Sequence, residues 1–334
     1  MINRMLKSAA SFLRIREWAD SKAPLLAGVF AYFIFLNDEP FDGHFAKFCA
    51  YLAFVSAFLA LSYVVNDLSD LEADRIAGKQ KIVADMPKSA VLAAMLAILI
   101  TGNAPLIILA ESKLMCIVAI LFVYLFGFAY SVPGIRFKER GALGLVECSV
   151  AQRCMPMVVV PPLEKIVPWA FVLLFLLSFF NGLRYILIHQ LQDKDNDAKT
   201  GISTYAVAKP ALYVRNLIRL CLLAEILGCC IAIAPIAIAH PVLATICLAV
   251  QILVEYSAYF VLVRCADKDW VATFDSVPLD FFYNAVFPVM TIIAIAPFSL
   301  YSAIALMLIA VLNTSNARVK LGFVKISVEL KATR

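Results

Sequence analysis

Long apolar blocks alternate with short polar ones along almost the whole chain. The blocks fall at about residues 23–37, 46–65, 89–109, 114–132, 144–162, 166–190, 211–238, 241–263 and 284–312. Each is near the ~20 residues that a helix needs to cross a bilayer. Their apolar positions do not alternate with polar ones as the strands of a membrane barrel do. The pattern predicts an all-α, polytopic membrane protein with nine transmembrane helices. Two stretches lie outside it. In residues 1–22, Arg4, Lys7, Arg14 and Arg16 interleave with Leu6, Phe12, Leu13 and Trp18, which predicts an amphipathic segment on the cytoplasmic membrane surface. No apolar run there leads to a small-residue cleavage site, so a signal peptide is not expected. Residues 313–334 form a polar tail, which leaves residues 23–312 as the membrane domain.

Composition agrees with this division. Of the 334 residues 63% are hydrophobic and 16% charged, with a mean hydropathy of +0.88; a soluble chain of this length carries more charge. The nine cysteines form no CxxC pair and no Cys/His cluster, so zinc is not expected and small-residue packing is. The net charge of +5 is what cytoplasmic loops contribute under the positive-inside bias, and it calls for no nucleic acid. With nine spans, four basic segments share one side. They are the N-terminal segment, the loop with Lys79, Lys81 and Lys88, the loop with Arg136, Lys138 and Arg140, and the loop with Lys194, Lys199 and Lys209. That side is expected to be cytoplasmic. The loops near 37–42, 111–113, 164–165 and 239–240 are short and not basic. The tail, with Arg318, Lys320, Lys325, Lys331 and Arg334, is then placed outside, against the bias. Pro288 and Pro297 in the last block leave a broken hairpin as the alternative to a ninth span. Trp18, Trp169 and Trp270 fall near expected interfaces and read as anchors.

Two acidic clusters stand at water-facing ends of these helices, both on the basic side. One is Asn66, Asp67, Asp70 and Asp74, in VVNDLSDLEADR; the other is Asp193, Asp195 and Asp197, in HQLQDKDNDAKTGIST. The spacing i, i+4, i+8 puts Asn66, Asp70 and Asp74 on one helix face over about 12 Å. Asp193 and Asp197 repeat the i, i+4 step, and His189 extends it. Carboxylates crowded on one face repel one another unless a cation intervenes. Mg²⁺ favours a few carboxylates with water and phosphate oxygens completing its shell. One such cluster alone reads equally well as a solvated acidic face. Two at span ends on one side read as halves of a divalent-metal site acting on a diphosphate with an apolar chain. The spacing and closing Glu of an EF-hand are absent.

These motifs resemble those of the UbiA superfamily of intramembrane prenyltransferases. NDLSDLEAD matches its NDxxDxxxD motif, and DKDNDAKTGIST matches DxxxDxxxGxxT as Asp193, Asp197, Gly201 and Thr204. AYSVPGIRFKERG is similar to the family's Tyr-Ser-x-Pro segment, with Tyr130, Ser131, Pro133, Arg136 and Lys138. The resemblance covers about residues 20–312. It implies a helical bundle around a central cavity and two Mg²⁺ ions, with Asn66, Asp70 and Asp74 on one half-site and Asp193 and Asp197 on the other. Asp67 would bind metal or orient a ligand. The substrate implied is an isoprenyl diphosphate. Metals and nearby cations would stabilise the leaving diphosphate, and a small-molecule acceptor would capture the allylic cation. The chain departs from the pattern after the first motif. Where many relatives have Arg-Thr-x-x-Arg-Pro, it has GKQKIVAD, with Lys79 and Lys81 as the cations, and lysine supplies charge without a bidentate fork.

Polar residues inside the spans complete the candidates. Glu147, Gln152 and Arg153 lie in the fifth block; Arg153 sits too deep to snorkel, which favours a cavity-lining role. It could meet the diphosphate, an acidic acceptor or Glu147. Asn181, Arg184 and His189 lie on the sixth. Arg184 is a candidate for substrate contact, with an interfacial position as the plain alternative, and His189 for an acceptor base or a partner of Asp193. The expected substrate-binding set is thus Lys79, Lys81, Tyr130, Ser131, Lys138, Arg153, Arg184 and His189. Three functions compete. The first is Mg²⁺-dependent prenyl transfer to an acceptor, with an aromatic ring expected first and a sugar phosphate or glycerol phosphate also open. The second is terpene cyclisation, in which the substrate's own double bonds capture the cation. The third, a transporter, would need charges near the midplane and an inverted repeat, and neither is seen.

Overall fold

The computed structural model describes residues 8–76, 78, 81–200, 204–265, 279–296 and 299–313, with backbone alone at 73, 76, 196, 199–200 and 256–265. Lys79, Gly201, Trp270 and the basic residues of the tail lie outside the described residues. The described chain is all-helical. Its principal helices are α1 (Ala23–Leu36), α2 (Phe41–Ser69), α3 (Leu71–Ile76), α4 (Lys88–Leu109), α5 (Lys113–Ala129), α6 (Ala142–Arg153), α7 (Pro168–Thr200), α8 (Ala211–Ala239), α9 (Pro241–Cys265), α10 (Phe287–Ile295) and α11 (Leu300–Leu312). Among them α2, α4, α7 and α8 are long and apolar enough to cross a membrane, and α1, α5, α10, α11 and the start of α9 are shorter apolar helices.

The middle of the bundle is filled by α1 and α2, whose aromatic residues Phe30, Tyr32, Phe33, Tyr51, Phe54 and Phe58 are fully buried. The outer helices keep apolar residues exposed, among them Leu92 and Ile108 on α4, Leu114 and Leu125 on α5, and Ile238 on α8. An apolar surface of this kind is what lipid solvates. Small residues set the closest approaches. A Cβ on Gly102 would sit 2.2 Å from the Ala57 Cβ, and one on Gly182 would sit 2.8 Å from the Ser149 carbonyl oxygen. The second contact seats α6 directly on α7 beside the candidate site.

Two expected spans take a different form. The fifth, 144–162, is helical only to Arg153 and continues as a 3₁₀ turn over Met155–Val159. Pro156, Pro161 and Pro162 lack the N–H that an α-helix needs there. The ninth, 284–312, is two helices with a break after Ile295, where the sequence carries Pro297. Ser299 at this break bonds Asp42 at the start of α2. At the far end of α11, Asn313 Nδ2 donates to the Asn284 carbonyl at 2.6 Å. The two helices therefore run antiparallel, so the expected single ninth span is corrected to a hairpin. The hairpin returns residue 313 to the end of the bundle where the stretch began.

The two ends of the bundle are distinct. At one, Asn37 reaches the Lys165 carbonyl at 2.9 Å, and His44 bridges Glu39 (Nε2 to Oε2, 2.7 Å) and Glu164 (Nδ1 to Oε1, 2.5 Å). Lys47 Nζ lies 3.4 Å from the same Glu164 oxygen. This cluster is an ion-pair clasp over the non-basic loops. Both acidic motifs gather at the other end.

Candidate active site

The first motif rides on the end of α2. Helix α2 closes at Ser69, Asp70 takes a non-helical φ/ψ of −106°/4°, and α3 resumes at Leu71. The chain stays bonded through this joint: Asp70 N–H donates to the Asn66 carbonyl at 3.1 Å and Asp74 N–H to the Asp70 carbonyl at 2.8 Å. Asn66, Asp70 and Asp74 consequently keep a common face and line one cavity of about 830 Å³, within the range of small-molecule pockets. Asp67 points elsewhere and is buried.

Basic side chains meet every carboxylate of this motif. Asp67 Oδ1 accepts from Arg14 Nη1 at 2.9 Å and from Lys81 Nζ at 2.8 Å. Lys81 also lies 3.6 Å from Asp74. Asp70 receives Arg136 at 3.2 Å and, more closely, Lys138. Ser131 Oγ donates to Asn66 Oδ1 at 2.8 Å. Arg14 and Arg136 both have left-handed backbone, with φ of 48° and 37°. For a non-glycine residue that conformation costs about 1–2 kcal/mol, and at both positions the side chain ends on an aspartate of the motif.

The second motif is built differently. Helix α7 runs without a break to Thr200, so the acidic stretch is a helical extension and not a loop. His189 and Gln192 line the cavity. Asp193 and Asp197 do not; Asp193 is half-exposed and sits 2.9 Å from His189 Nδ1. Thr204 Oγ1 donates to Asp197 Oδ2 at 3.3 Å. The two residues that the motif pairs, Asp197 and Thr204, are thus side by side.

Of the expected substrate-binding residues, Lys81, Tyr130, Ser131, Lys138, Arg153 and His189 share the cavity wall. Arg184 does not. It is fully buried, its Nε 2.6 Å and Nη2 3.2 Å from the Glu225 carboxylate of α8, with Asn181 on the same carboxylate at 2.9 Å. Its place is a structural ion pair between α7 and α8.

Other cavity residues carry no motif signal. Arg14 and Lys22 come from the N-terminal segment, which lies against α2 with Trp18 buried. Lys22 Nζ donates to Tyr63 Oη at 2.5 Å and to Gln152 Oε1. Arg153 gives Nη1 to the Ser21 carbonyl at 3.0 Å and lies over the Tyr185 ring, 4.6 Å from its centroid. Burial, reinforced by the Arg153 charge, pushes the Lys22 ammonium down to about 7. One trace of this was legible: Lys22 directly precedes an apolar block.

The described residues thus form an all-helical bundle with a polar cavity, oxygen donors on one wall and cations around them. The model of the UbiA prenyltransferase family matches residues 25–286, and the chain belongs to that family. Solved structures agree on the fold. A UbiA homologue from Archaeoglobus fulgidus, bound to DMAPP and Mg²⁺, is similar with a TM-score of 0.53 and 15% identity, covering 89% of this chain and 98% of that one. The same homologue bound to GPP and Mg²⁺ gives 0.52 and 15%, with 90% and 99% covered. An apo homologue from Aeropyrum pernix K1 gives 0.51 and 16%, with 81% and 96% covered. No curated protein matches the chain.

Proposed function

We propose that this integral membrane protein transfers a prenyl group from an isoprenyl diphosphate to a small-molecule acceptor, at a site on the cytoplasmic side. One observation carries the reading: Asn66, Asp70 and Asp74 face a single cavity together with Lys81 and Lys138. The donors are hard oxygens at the mouth of that cavity, which fits Mg²⁺. Mg²⁺ held by Asn66, Asp70 and Asp74, and by Asp193 and Asp197, would neutralise charge on the departing diphosphate.

The chain's own residues do the rest. Three carboxylates of the first motif face four cations, Arg14, Lys81, Arg136 and Lys138. Glu17 and Glu139 also meet Arg14 and Arg136, so the cluster has no excess of positive charge of its own, and Mg²⁺ would supply the balance for an anionic head group. As phosphate oxygens enter, Lys81, Arg136 and Lys138 exchange aspartate for phosphate and hold the leaving group. The C1–O bond of the allylic diphosphate breaks, with its electron pair leaving on the diphosphate. Tyr63, Tyr130 and Tyr185 line the cavity and offer ring faces to the allylic cation. An acceptor carbon or oxygen then bonds C1 and gives its proton to water. The cyclase alternative needs the cation to persist without an acceptor. Lys22 and Arg153 on the cavity wall are unfavourable neighbours for such a cation.

The test uses purified protein in detergent, Mg²⁺ and allylic diphosphates of increasing length. Diphosphate release is followed and the organic phase analysed. Release that chelator abolishes, and that one acceptor accelerates, is the expected result. A cyclised product formed without acceptor, or full turnover by Asp70→Ala, would sink the proposal.

A further inference from the structure

The cavity that holds the first motif ends in a floor. On the helices that reach deepest into it, the side chain about one turn below the last wall residue is buried. On α2 the wall ends at Ser62 and Phe58 follows; on α5 it ends at Gly127 and Tyr124 follows; on α7 it ends at Gly182 and Ser178 follows. Met157, in the turn after α6, and Leu26 of α1, one turn beyond Lys22, are buried in the same way. Of these five residues Tyr124 is 6% exposed and the others 1% or less.

Phe58 is the centre of this floor. Gly127 lets its ring press against α5: a Cβ there would meet Phe58 Cε2 at 2.6 Å and Cζ at 2.7 Å. The ring packs edge-on to Tyr124, with centroids 5.5 Å apart and planes at 76°. It stacks on Phe54 one turn lower, at 6.3 Å and 13°. Asn103 Nδ2 donates to the Tyr124 hydroxyl at 3.1 Å and holds that ring in place. A stack packed this closely does not yield to an extra carbon without strain. The seam between α1 and α10 is shut as well, since a Cβ on Gly28 would sit 2.8 Å from the Phe287 ring.

The floor sets a length. Helix α2 is continuous from Phe58 to Asn66, which at 1.5 Å per residue puts Phe58 roughly 12 Å below the motif. An isoprene unit adds four carbons to the backbone of a prenyl chain, about 5 Å when extended, given C–C bonds of about 1.5 Å. Two units fit above Phe58 and three do not. Ser62, Phe58 and Phe54 follow one another at intervals of one turn, roughly 6 Å. One turn of α2 therefore corresponds to about one unit of chain.

We infer that Phe58 limits the length of the prenyl chain, so that the cavity takes an allylic diphosphate of two isoprene units and rejects three or more. The inference rests on the transferase reading above and adds to it the size of the donor.

The experiment measures kcat/KM for diphosphate release with allylic diphosphates of one, two, three and four isoprene units. It uses the full chain in detergent with Mg²⁺ and the acceptor that accelerates release most. Protection against thermal unfolding by the same diphosphates with Mg²⁺ gives a second readout that needs no turnover. Each variant is compared with the native protein at every length, so that partition of long chains into micelles cancels. The native protein should favour two units over three at least ten-fold. Phe58→Ala lowers the floor to Phe54 and should raise the three-to-two ratio ten-fold or more; Phe58→Leu serves if the alanine variant does not purify. Ser62→Leu raises the floor by one turn and should shift the optimum to one unit. Phe54→Leu, beneath an intact Phe58, should leave the optimum where it is, which separates a floor from a general loosening of the core. Equal or better use of three and four units by the native protein overturns the inference, because the chain then leaves the cavity sideways into lipid. So does an optimum that neither the Phe58 variants nor Ser62→Leu move. Absence of Mg²⁺-dependent release with every diphosphate overturns the transferase reading instead, and the length limit then stands or falls on whether thermal protection shows the same cut-off.

Discussion

Asp67, Asp70 and Asp74 are each held by a lysine or arginine, while Asp193, on the facing helix, is half-exposed and bonded to His189. The first motif is a closed net whose carboxylates are already neutralised within the fold. The second is a helical extension reaching toward water. A metal ion binding beside Asp193 would have His189 and water to displace. One binding beside Asp70 has Lys138 and Arg136 to displace, and these are the groups positioned to receive phosphate oxygens. Under the proposed function this difference implies an order: the first half-site would fill only when a diphosphate takes over its cations, whereas the second would bind metal on its own.

The largest effect expected is the loss of turnover on removing either half. Asp70→Ala and Asp193→Ala should each lower kcat by about 10²–10³-fold, the loss of about 3–4 kcal/mol of electrostatic stabilisation of the leaving group. The comparison sharpens in binding. Mg²⁺ titrated without substrate should bind the native protein and Asp70→Ala alike, and Asp193→Ala weakly. Equal loss of substrate-free binding in both variants would remove the proposed order.

Stability without metal separates the motifs further. Asp67 is nearly buried and holds two cations, so Asp67→Ala leaves Arg14 with only the longer contact to Glu17 and Lys81 with only that to Asp74. That should cost about 1–3 kcal/mol, read as a lower melting temperature in chelator. The exposed pair of Asp193 with His189 is worth about 0–1 kcal/mol, so Asp193→Ala should melt like the native protein. A shared melting shift for both variants would show that the first motif is not the structural one.

Much of this was readable from residue order. The spacing of Asn66, Asp70 and Asp74 gave one face because helical periodicity survives the joint at Asp70. Apolar blocks gave the helices because in a bilayer the backbone has no other partner than itself. What escaped was long-range. Nothing in a local window shows that Arg14 folds onto Asp67, 53 residues away, or that Arg184 is consumed by Glu225, 41 away. The ninth block read as one span because its composition is continuous, with Pro288 and Pro297 the marks of the alternative hairpin. Lys22 drew no notice because its burial comes from α2 and α6, which are distant in sequence.

Of the first motif's cations, Lys138 is the cleanest probe of the exchange. Lys138→Met should raise the KM for prenyl diphosphate about ten-fold, a loss of ~1.4 kcal/mol for one charge-assisted contact. It should leave substrate-free Mg²⁺ binding intact, since the ion beside Asp193 does not involve it. Weaker Mg²⁺ binding in this variant, with unchanged KM, would reverse the roles given to the two motifs.

The smallest effect is a pH dependence of stability that belongs to neither motif. Lys22, buried beside Arg153 and faced also by Cys148, Tyr63, Glu17 and Arg14, titrates at about 7 in place of 10.5. Between pH 7 and 10.5 the unfolded chain holds a proton on Lys22 that the folded one has shed. Stability of the empty protein therefore rises with pH across that window, and the full cost of burying the charge is felt below 7. Lys22→Arg should flatten this profile while leaving the pH dependence of Mg²⁺ binding unchanged. If that substitution shifts Mg²⁺ binding as well, Lys22 and the metal-binding aspartates are one coupled system, and the separation drawn between them fails.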